Sequence, residues 1–525
     1  MSATNEHLLT TAVRLHEALL KVDLSLQATE VIEASTVRDE VAVQLADYVM
    51  PRILAADAPL LAVVGGSTGA GKSTLVNSIV GASVTEAGVL RPTTRSPVLV
   101  HNPDDADWFV NARILPDFRR TGSASADPGL LQLVSSPNVP KGIAVLDAPD
   151  VDSLEERNRT LAAQLLDAAD MWLFVTSAAR YADQVPWGYL RRAAERKAAV
   201  AIILDRTPAA AVSEVAAHLS RMLVARGLKD SPLFTVPESD IDADGLLPQE
   251  SIEQIQVWLE QLAANDQAKT AVVRQTLAGT VRSVAERTYT VADACERAEE
   301  VCDGLRASLV ETYAAAIDEV DRGAASGRLV VGLPGSDWRA ALARAEQALV
   351  AVIADHGERA AAAAALRWHA TDPGRALVKG RPEMSAASPD ISARANRVVS
   401  LWRESVRGIV AGQPVTGDDS SAGVEELGAA LQILTLTGGR EGEAGTASAW
   451  ARALFVASFT PDIQQRLVGR SRNELLRQTE DVFTDEAQRF EALVGASGAH
   501  RADAESLREL ARHIDDLRLR NEDWL

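Results

Sequence analysis

A glycine-rich segment, GGSTGAGKSTL at residues 65–75, constrains the fold of this chain more than any other part of its sequence. It follows the apolar run LLAVVG, which is typical of a buried strand, and it precedes a stretch that favours a helix. Residues 66–73 fit the pattern G-x-x-x-x-G-K-[ST], whose glycines let the backbone wrap around a phosphate chain. We therefore predict a P-loop that binds a nucleotide, and set aside the alternative of a glycine-rich turn without a ligand.

The residue types within this loop predict individual roles. The Lys72 ammonium should reach the β- and γ-phosphates, and the Ser73 hydroxyl should ligate Mg²⁺. Backbone N–H groups should cradle the phosphates at the positive end of the following helix. The predicted nucleotide-binding residues of the loop are Gly66, Ser67, Thr68, Gly69, Ala70, Gly71, Lys72, Ser73 and Thr74.

Two further residues complete the predicted chemistry. Thr94, in LRPTTRSPVLV, precedes the second strand-like run and is expected to close on Mg²⁺ and the γ-phosphate. Thr93 is the neighbouring alternative for this role. A simpler interpretation is that the threonine only forms a turn beside proline. Asp147, at the end of the run IAVLD, is expected to hold Mg²⁺ through water. The predicted catalytic set is thus Lys72, Thr94 and Asp147, and the predicted metal set is Ser73, Thr94 and Asp147.

The base-reading residues are less well defined. Guanine recognition usually uses [NT]-K-x-D after a strand, and here the strand-like run AVAIILD leads into Asp205, Arg206 and Pro208. Asp205 stands at the Asn position, and Arg206 could pack its aliphatic stem on the base. Pro208 occupies the place of the specificity carboxylate, and the segment TVPES (235–239) is a candidate for the last base-contacting loop.

The apolar pattern around the P-loop predicts an α/β domain over residues 51–262. Helix-like stretches separate the short apolar runs, which predicts a mainly parallel sheet with helices on both faces. The predicted strands cover 60–65, 97–102, 142–149, 171–177, 199–205 and 232–239.

The remainder of the chain is predicted to be helical. Residues 1–50 carry a helical apolar stripe and should pack with a helical bundle or stalk over 263–525, and a second helix is expected over 36–54, with a break at Pro51. Loops are predicted at 369–390, 411–423 and 437–448. The apolar stretches 424–437 and 450–459, within a region near 411–460, are either a tip that contacts a membrane or a partner, or buried packing helices.

Composition excludes several classes of function. The net charge of −20 disfavours binding to nucleic acid through a general basic surface. Cys295 and Cys302 lie seven residues apart in a helical stretch and are expected to be buried hydrophobes, so a reducing cytoplasm is the expected compartment. Neither a signal peptide nor an apolar run of membrane-spanning length is expected from the sequence.

Three segments resemble the dynamin superfamily of large GTPases, particularly its bacterial, actinobacterial members. They are AVVGGSTGAGKSTLVNSIVG, the sequence Thr94-Arg95-Ser96-Pro97 followed by VLV, and LQLVSSPNVPKGIAVLDAPDVDS (131–153). The resemblance covers roughly residues 60 to 240. It implies GTP as substrate, GDP as product, Mg²⁺, and self-association that depends on nucleotide. It further implies a second, membrane-associated dynamin-like GTPase as a partner, peripheral contact at the inner face of the cell membrane, and roles in membrane remodelling, envelope maintenance or cell division.

The chain also departs from that family. Asp150 stands where the second switch normally has glycine, and Thr68 and Gly69 replace the glutamine and serine of the dynamin loop. These departures leave open a slow, nucleotide-dependent switch that recruits a partner GTPase. An ATPase of the ABC class is disfavoured, because Ala148 follows Asp147 and a Leu-Ser-Gly-Gly-Gln signature is missing.

Overall fold

The computed structural model describes two compact units. The described residues are 3–85, 96–111, 113–116, 118–125, 127, 129–153, 155–327, 329–330, 337–414, 423–438, 445–496 and 501–520. The first unit contains residues 1–22, 33–294 and 501–525, and the second contains 23–32 and 295–500. Each unit has its own buried core.

The first unit is built on one mixed sheet. Its eight strands, in the spatial order β3-β4-β2-β5-β1-β6-β7-β8, are β1 (Leu60–Gly66), β2 (Val98–His101), β3 (Arg119–Thr121), β4 (Leu130–Ser135), β5 (Ile143–Asp147), β6 (Met171–Ser177), β7 (Ala199–Thr207) and β8 (Leu233–Pro237). Neighbouring strands are parallel except β2 and β5, which are antiparallel. The predicted α/β class is therefore confirmed.

The centre of the sheet is buried on both faces. All seven residues of β1 are buried, and so are all seven of β6. Leu61 and Val63 belong to the apolar core on one face, while Ala62 and Val64 belong to the core on the other. Strands covered on both sides read as continuous apolar runs. All six predicted strands are found, including β8, which is mostly half-buried.

Strands β3 and β4 were not predicted from the sequence. Strand β3 reads RRT and is only partly covered, and β4 is mostly half-buried, so neither gives a continuous apolar signal. At this edge the Arg120 guanidinium donates to the carbonyl oxygens of Phe109, Leu115 and Phe118 at 2.9, 2.9 and 2.6 Å. These bonds fold the segment before β3 back against the edge of the sheet.

The helices account for most of the remaining described chain. They are α1 (Ala3–Lys21), α2 (Thr29–Gln44), α3 (Met50–Leu54), α4 (Lys72–Val80), α5 (Ala106–Val110), α6 (Glu156–Asp167), α7 (Gln184–Glu195), α8 (Val212–Ala225), α9 (Gln249–Ala264), α10 (Asp266–Ser326), α11 (Trp338–His369), α12 (Asp372–Val378), α13 (Ile391–Ala411), α14 (Val424–Thr437), α15 (Gly445–Ser458), α16 (Pro461–Gly495) and α17 (Arg501–Arg520). In the first unit, α1 packs along α17.

The second predicted helix differs from the one observed. It begins at Thr29 instead of Thr36, and it continues past Pro51 without a break through a π-helical turn at Leu45–Val49. The N–H of Met50 bonds to the carbonyl of Leu45, five residues back, and Pro51 lies in the first turn of α3. Because Pro51 has no N–H, the helix lacks one backbone hydrogen bond at this position but does not end there.

The second unit is an all-helical assembly, which confirms the predicted helical region. Helix α13 packs on α16, α14 packs on α15, and α11 packs on α13. Trp402 is fully buried and donates its indole N–H to the carbonyl of Ser471 at 2.9 Å. Cys295 and Cys302 are buried thiols, consistent with small core residues.

The apolar stretch at 424–437 is a buried helix in this structure. Every residue of α14 from Leu427 to Thr437 is buried, against α13, α15 and α16. The interpretation as a packing helix therefore accounts for its apolar character. Within the described part of the chain, no helix is long and apolar enough to cross a membrane.

Two of the predicted loops are partly helical. The stretch 369–390 contains α12 and a 3₁₀ turn at Pro382–Ser385, and α15 already begins at Gly445. The side chain of Thr371 accepts a hydrogen bond from the N–H of Gly374 and caps α12. The loop-like composition of this stretch gives no indication of the short helix. Residues 415–422 of the predicted loop at 411–423 and residues 439–444 of the predicted loop at 437–448 lie outside the described residues.

Candidate nucleotide site

The P-loop connects the end of β1 to the start of α4, as its sequence predicts. Gly66 and Gly71 have φ angles of +149° and +98°, which side chains rarely allow. A Cβ on Gly66 would lie 2.0 Å from the carbonyl oxygen of Val175, and one on Gly71 would lie 2.0 Å from Asp205 Oδ2. These two glycines are required because the loop passes directly over the ends of β6 and β7.

Lys72 begins α4 and turns its ammonium into this loop. Its side chain is only 5% exposed. Nζ donates to the carbonyl oxygens of Gly66 and Ser67, both at 3.2 Å, and forms an ion pair with the Asp150 carboxylate. The ammonium is thus held at the mouth of the loop, where a phosphate chain would lie.

Ser73 and Asp147 lie together at the end of β5. Ser73 Oγ donates to Asp147 Oδ2 at 2.7 Å. Burial raises the pKa of Asp147 to about 6, and the Ser73 hydrogen bond and the Lys72 charge act against this rise. The other carboxylate oxygen, Oδ1, is buried and has no hydrogen-bond partner among the described residues.

This pair fits a hydrated magnesium ion. Mg²⁺ prefers oxygen ligands and keeps several waters, so a hydroxyl and a carboxylate that acts through water are suitable donors. The unpartnered oxygen of Asp147 supplies an acceptor for such a water. No cluster of three or more His, Cys, Asp or Glu that could hold a metal occurs in the described part of the chain, and a P-loop magnesium site needs none.

The loop after β5 closes on the P-loop through a second carboxylate. Asp152 Oδ1 accepts from the backbone N–H and the hydroxyl of Thr68 at 2.6 and 2.7 Å. Its Oδ2 lies 3.1 Å from Arg180 Nη1, in the segment that follows β6. Sequence reasoning missed Arg180, because this contact joins residues distant in the chain and only the position after a strand end could have suggested it.

Asp205 and Arg206 lie near the carboxyl end of β7, beside the P-loop. The Asp205 carboxylate is buried against Gly71 and accepts from the N–H of Arg206 at 2.7 Å. Arg206 is exposed, with a φ of +47°. The N–H of Glu238 donates to the carbonyl of Thr207 at 3.0 Å, so the segment 235–239 lies next to the predicted base-contacting residues.

The predicted site residues are brought together except for one that is not described. Residues 66–74, Asp147 and the pair Asp205–Arg206 all lie at the carboxyl edge of the parallel strands. Ligands of open α/β sheets bind at this edge, at the point where the connections diverge to either side of a central strand. Thr94 and its alternative Thr93 lie outside the described residues, so their role stays a prediction.

The burial of Asp205 leads to a prediction about stability. Burial raises the pKa of Asp205 to about 6, opposed by the hydrogen bond from the N–H of Arg206 and by the Arg206 charge. A carboxyl group with a raised pKa in the folded state makes the protein lose stability as pH rises from about 4 to about 6, and the loss persists above that range. Asp205→Asn is therefore expected to raise the free energy of unfolding by about 1–3 kcal/mol over that of the parent protein at pH 7.5.

Thermal unfolding at pH 5 and pH 7.5 measures this effect. The advantage of Asp205→Asn should shrink at pH 5, and the exposed Asp240→Asn variant serves as the matched control. A variant that is no more stable than the parent at pH 7.5 would show that the Asp205 carboxylate is stabilised by contacts that the asparagine cannot replace.

A separate cleft of about 1060 Å³ lies at the opposite edge of the sheet. It is lined at the amino ends of β1 and β5 by Leu60 and Gly142, and by charged residues that include Asp104, Lys141 and Lys269. No predicted nucleotide-site residue lines it, so the P-loop edge remains the candidate site.

The sheet and the P-loop define the first unit as a P-loop α/β fold, and the second unit is helical. No protein-family model and no curated protein matches the chain.

Among solved structures, the chain is similar to two that are described as an oligomerised bacterial dynamin pair with a mechanism for long-range sensing and tethering of membranes. One is 9% identical with a TM-score of 0.35, over 100% of this chain and 96% of the other. The second is 11% identical with a TM-score of 0.30, over 99% of this chain and 77% of the other.

Proposed function

We propose that this chain is a dynamin-like GTPase that binds and hydrolyses GTP with Mg²⁺. The observation that carries the proposal is the P-loop, with the buried Lys72 ammonium at its mouth and the Ser73–Asp147 pair beside it. The loop backbone and Lys72 would bind the phosphates. Ser73 and Asp147 would hold the ion, which when bound would neutralise charge on the β- and γ-phosphates.

We assign guanine as the base of the nucleotide because the sequence resembles the dynamin superfamily of large GTPases. Asp205 stands against the P-loop at the Asn position of the guanine motif, and Arg206 next to it is exposed and free to approach a base edge or face. Thr94 is proposed to join Mg²⁺ and the γ-phosphate as a loop closes. That closure would couple the nucleotide to self-association and to movement of the helical unit.

The cellular setting follows from the same resemblance. We propose that the protein acts in the cytoplasm or peripherally at the inner face of the cell membrane, alone or with a second dynamin-like GTPase. Membrane remodelling, envelope maintenance or cell division is the proposed process. The proposed division of labour is a GTPase domain over residues 51–262, with helices from 1–50 and 263–525 as its bundle or stalk.

Nucleotide binding and phosphate release by the purified full chain test the proposal. We expect GTP and GDP to bind about tenfold or more tightly than ATP and ADP, and phosphate release from GTP to require Mg²⁺. Ser73→Ala should lower magnesium-dependent turnover by at least about tenfold, while Ser220→Ala, an exposed serine on α8, should not change it. A preference for ATP, or turnover that Ser73→Ala leaves intact, would contradict the proposal.

The Lys72–Asp150 ion pair favours a second candidate function, a slow switch that recruits a partner GTPase without remodelling membrane itself. A carboxylate that engages the P-loop lysine leaves this group less available to the reacting phosphate. The dependence of turnover on protein concentration separates the two functions. Turnover per molecule that rises steeply supports a self-activating GTPase, and a low, constant value supports the switch.

A further inference from the structure

We propose that Asp150 makes this site favour nucleoside diphosphates over triphosphates, because its carboxylate pairs with the ammonium that a terminal phosphate needs. The inference rests on the proposed nucleotide-binding function and names which form of the nucleotide the resting site retains. Asp150 would act as a specificity-determining residue for phosphate-chain length.

The hydrogen-bond donors of the Lys72 ammonium are already engaged. An ammonium group has three N–H donors. Here its described partners are the carbonyl oxygens of Gly66 and Ser67 and the carboxylate of Asp150. The carbonyls belong to the backbone of the loop itself. A phosphate oxygen that approaches Lys72 therefore competes with Asp150.

The Lys72–Asp150 pair lies where the end of a phosphate chain would bind. The backbone of a P-loop cradles the α- and β-phosphates, and its lysine reaches the β- and γ-phosphates. A diphosphate brings only its β-phosphate to the ammonium, so Asp150 shares this group with a single phosphate. A triphosphate places a further negative group beside the carboxylate, and like charges at close range disfavour each other.

The loop that carries Asp150 is anchored to the P-loop by neighbouring residues. The neighbouring Asp152 accepts from the N–H and hydroxyl of Thr68, and Arg180 holds its other oxygen at 3.1 Å. The N–H of Val151 donates to the carbonyl of Gly66 at 3.3 Å. Moving Asp150 away from Lys72 therefore requires further hydrogen bonds to rearrange, which adds to the cost of making room for a γ-phosphate.

Calorimetric titration with GDP and with a non-hydrolysable GTP analogue, in Mg²⁺, tests the inference. We expect the parent protein to bind GDP about tenfold or more tightly than the analogue. Asp150→Asn, which keeps size and removes charge, and Asp150→Gly should each tighten binding of the analogue by about tenfold. Their affinity for GDP should stay within about threefold of the parent value.

Asp183→Asn is the matched control. Asp183 lies 3.4 Å from Arg180 in the same neighbourhood, and the structure gives it no contact with the P-loop. This variant should retain the parent ratio of the two affinities. Thermal unfolding of all variants verifies that each is folded.

Two different outcomes would overturn the inference, and they are distinguishable. A parent protein that favours the triphosphate, or Asp150 variants whose ratio is unchanged, would overturn the selectivity while nucleotide binding stands. Failure of guanine and adenine nucleotides to bind any variant would overturn the proposed function, and the selectivity with it.

Discussion

Lys72→Ala is expected to weaken GTP binding by about 100-fold or more, a loss of about 2.7 kcal/mol. The replaced ammonium is buried at the mouth of the P-loop, where a charge-assisted bond to phosphate is strongest. Isothermal titration or the displacement of a fluorescent nucleotide measures the change. The exposed Lys229→Ala variant is the matched control for removing a lysine charge.

The same variant removes the ion-pair partner of Asp150. Thermal unfolding must therefore accompany the binding measurement, so that loss of affinity is separated from loss of fold. Lys72→Ala protein that is folded and binds GTP within about threefold of the parent would show that this loop is not the phosphate site.

Asp170→Ala is expected to lower the free energy of unfolding of the first unit by about 3–5 kcal/mol. Asp170 is buried at the start of the segment that leads into β6, where it accepts from the N–H of Leu61 at 2.8 Å and from the hydroxyl of Tyr48 at 3.1 Å. It also forms an ion pair with the buried Arg52 at 3.0 Å. Removing the carboxylate leaves the guanidinium inside the protein without its counter-charge.

Chemical unfolding of a small set of variants checks this prediction. Tyr48→Phe removes one hydrogen bond and should cost only about 1 kcal/mol. The double variant Arg52→Met/Asp170→Leu should be less destabilised than Asp170→Ala, because no uncompensated charge remains. A cost below about 1 kcal/mol for Asp170→Ala would mean that water or another group solvates Arg52.

The central strands and the P-loop could be predicted because their signals are local. Strands such as β1 and β6 are covered on both faces and read as unbroken apolar runs. The glycines at 66 and 71 are dictated by backbone geometry that only glycine adopts readily. Strand β3, with the sequence RRT, shows no comparable signal, since an edge strand needs only partial cover.

The contacts around the loop could not be predicted, because they depend on where separate strands end. Asp152 meets Thr68 across 84 residues of sequence, and Asp170 meets Tyr48 across 122. The residue types at these positions are compatible with ordinary turns. Only the fold brings their carboxylates to donors.

The edges of the sheet have a consequence for how copies of this chain could aggregate or assemble. A long, flat edge strand offers unpaired N–H and carbonyl groups to another sheet. Here β3 has only three residues, and Arg120 within it is hydrogen-bonded to carbonyl groups of the segment that precedes the strand. At the other edge β8 has five residues and ends in Pro237. Continuation of the sheet from one molecule into the next is disfavoured at both ends, so association of copies has to use loops or helical surfaces.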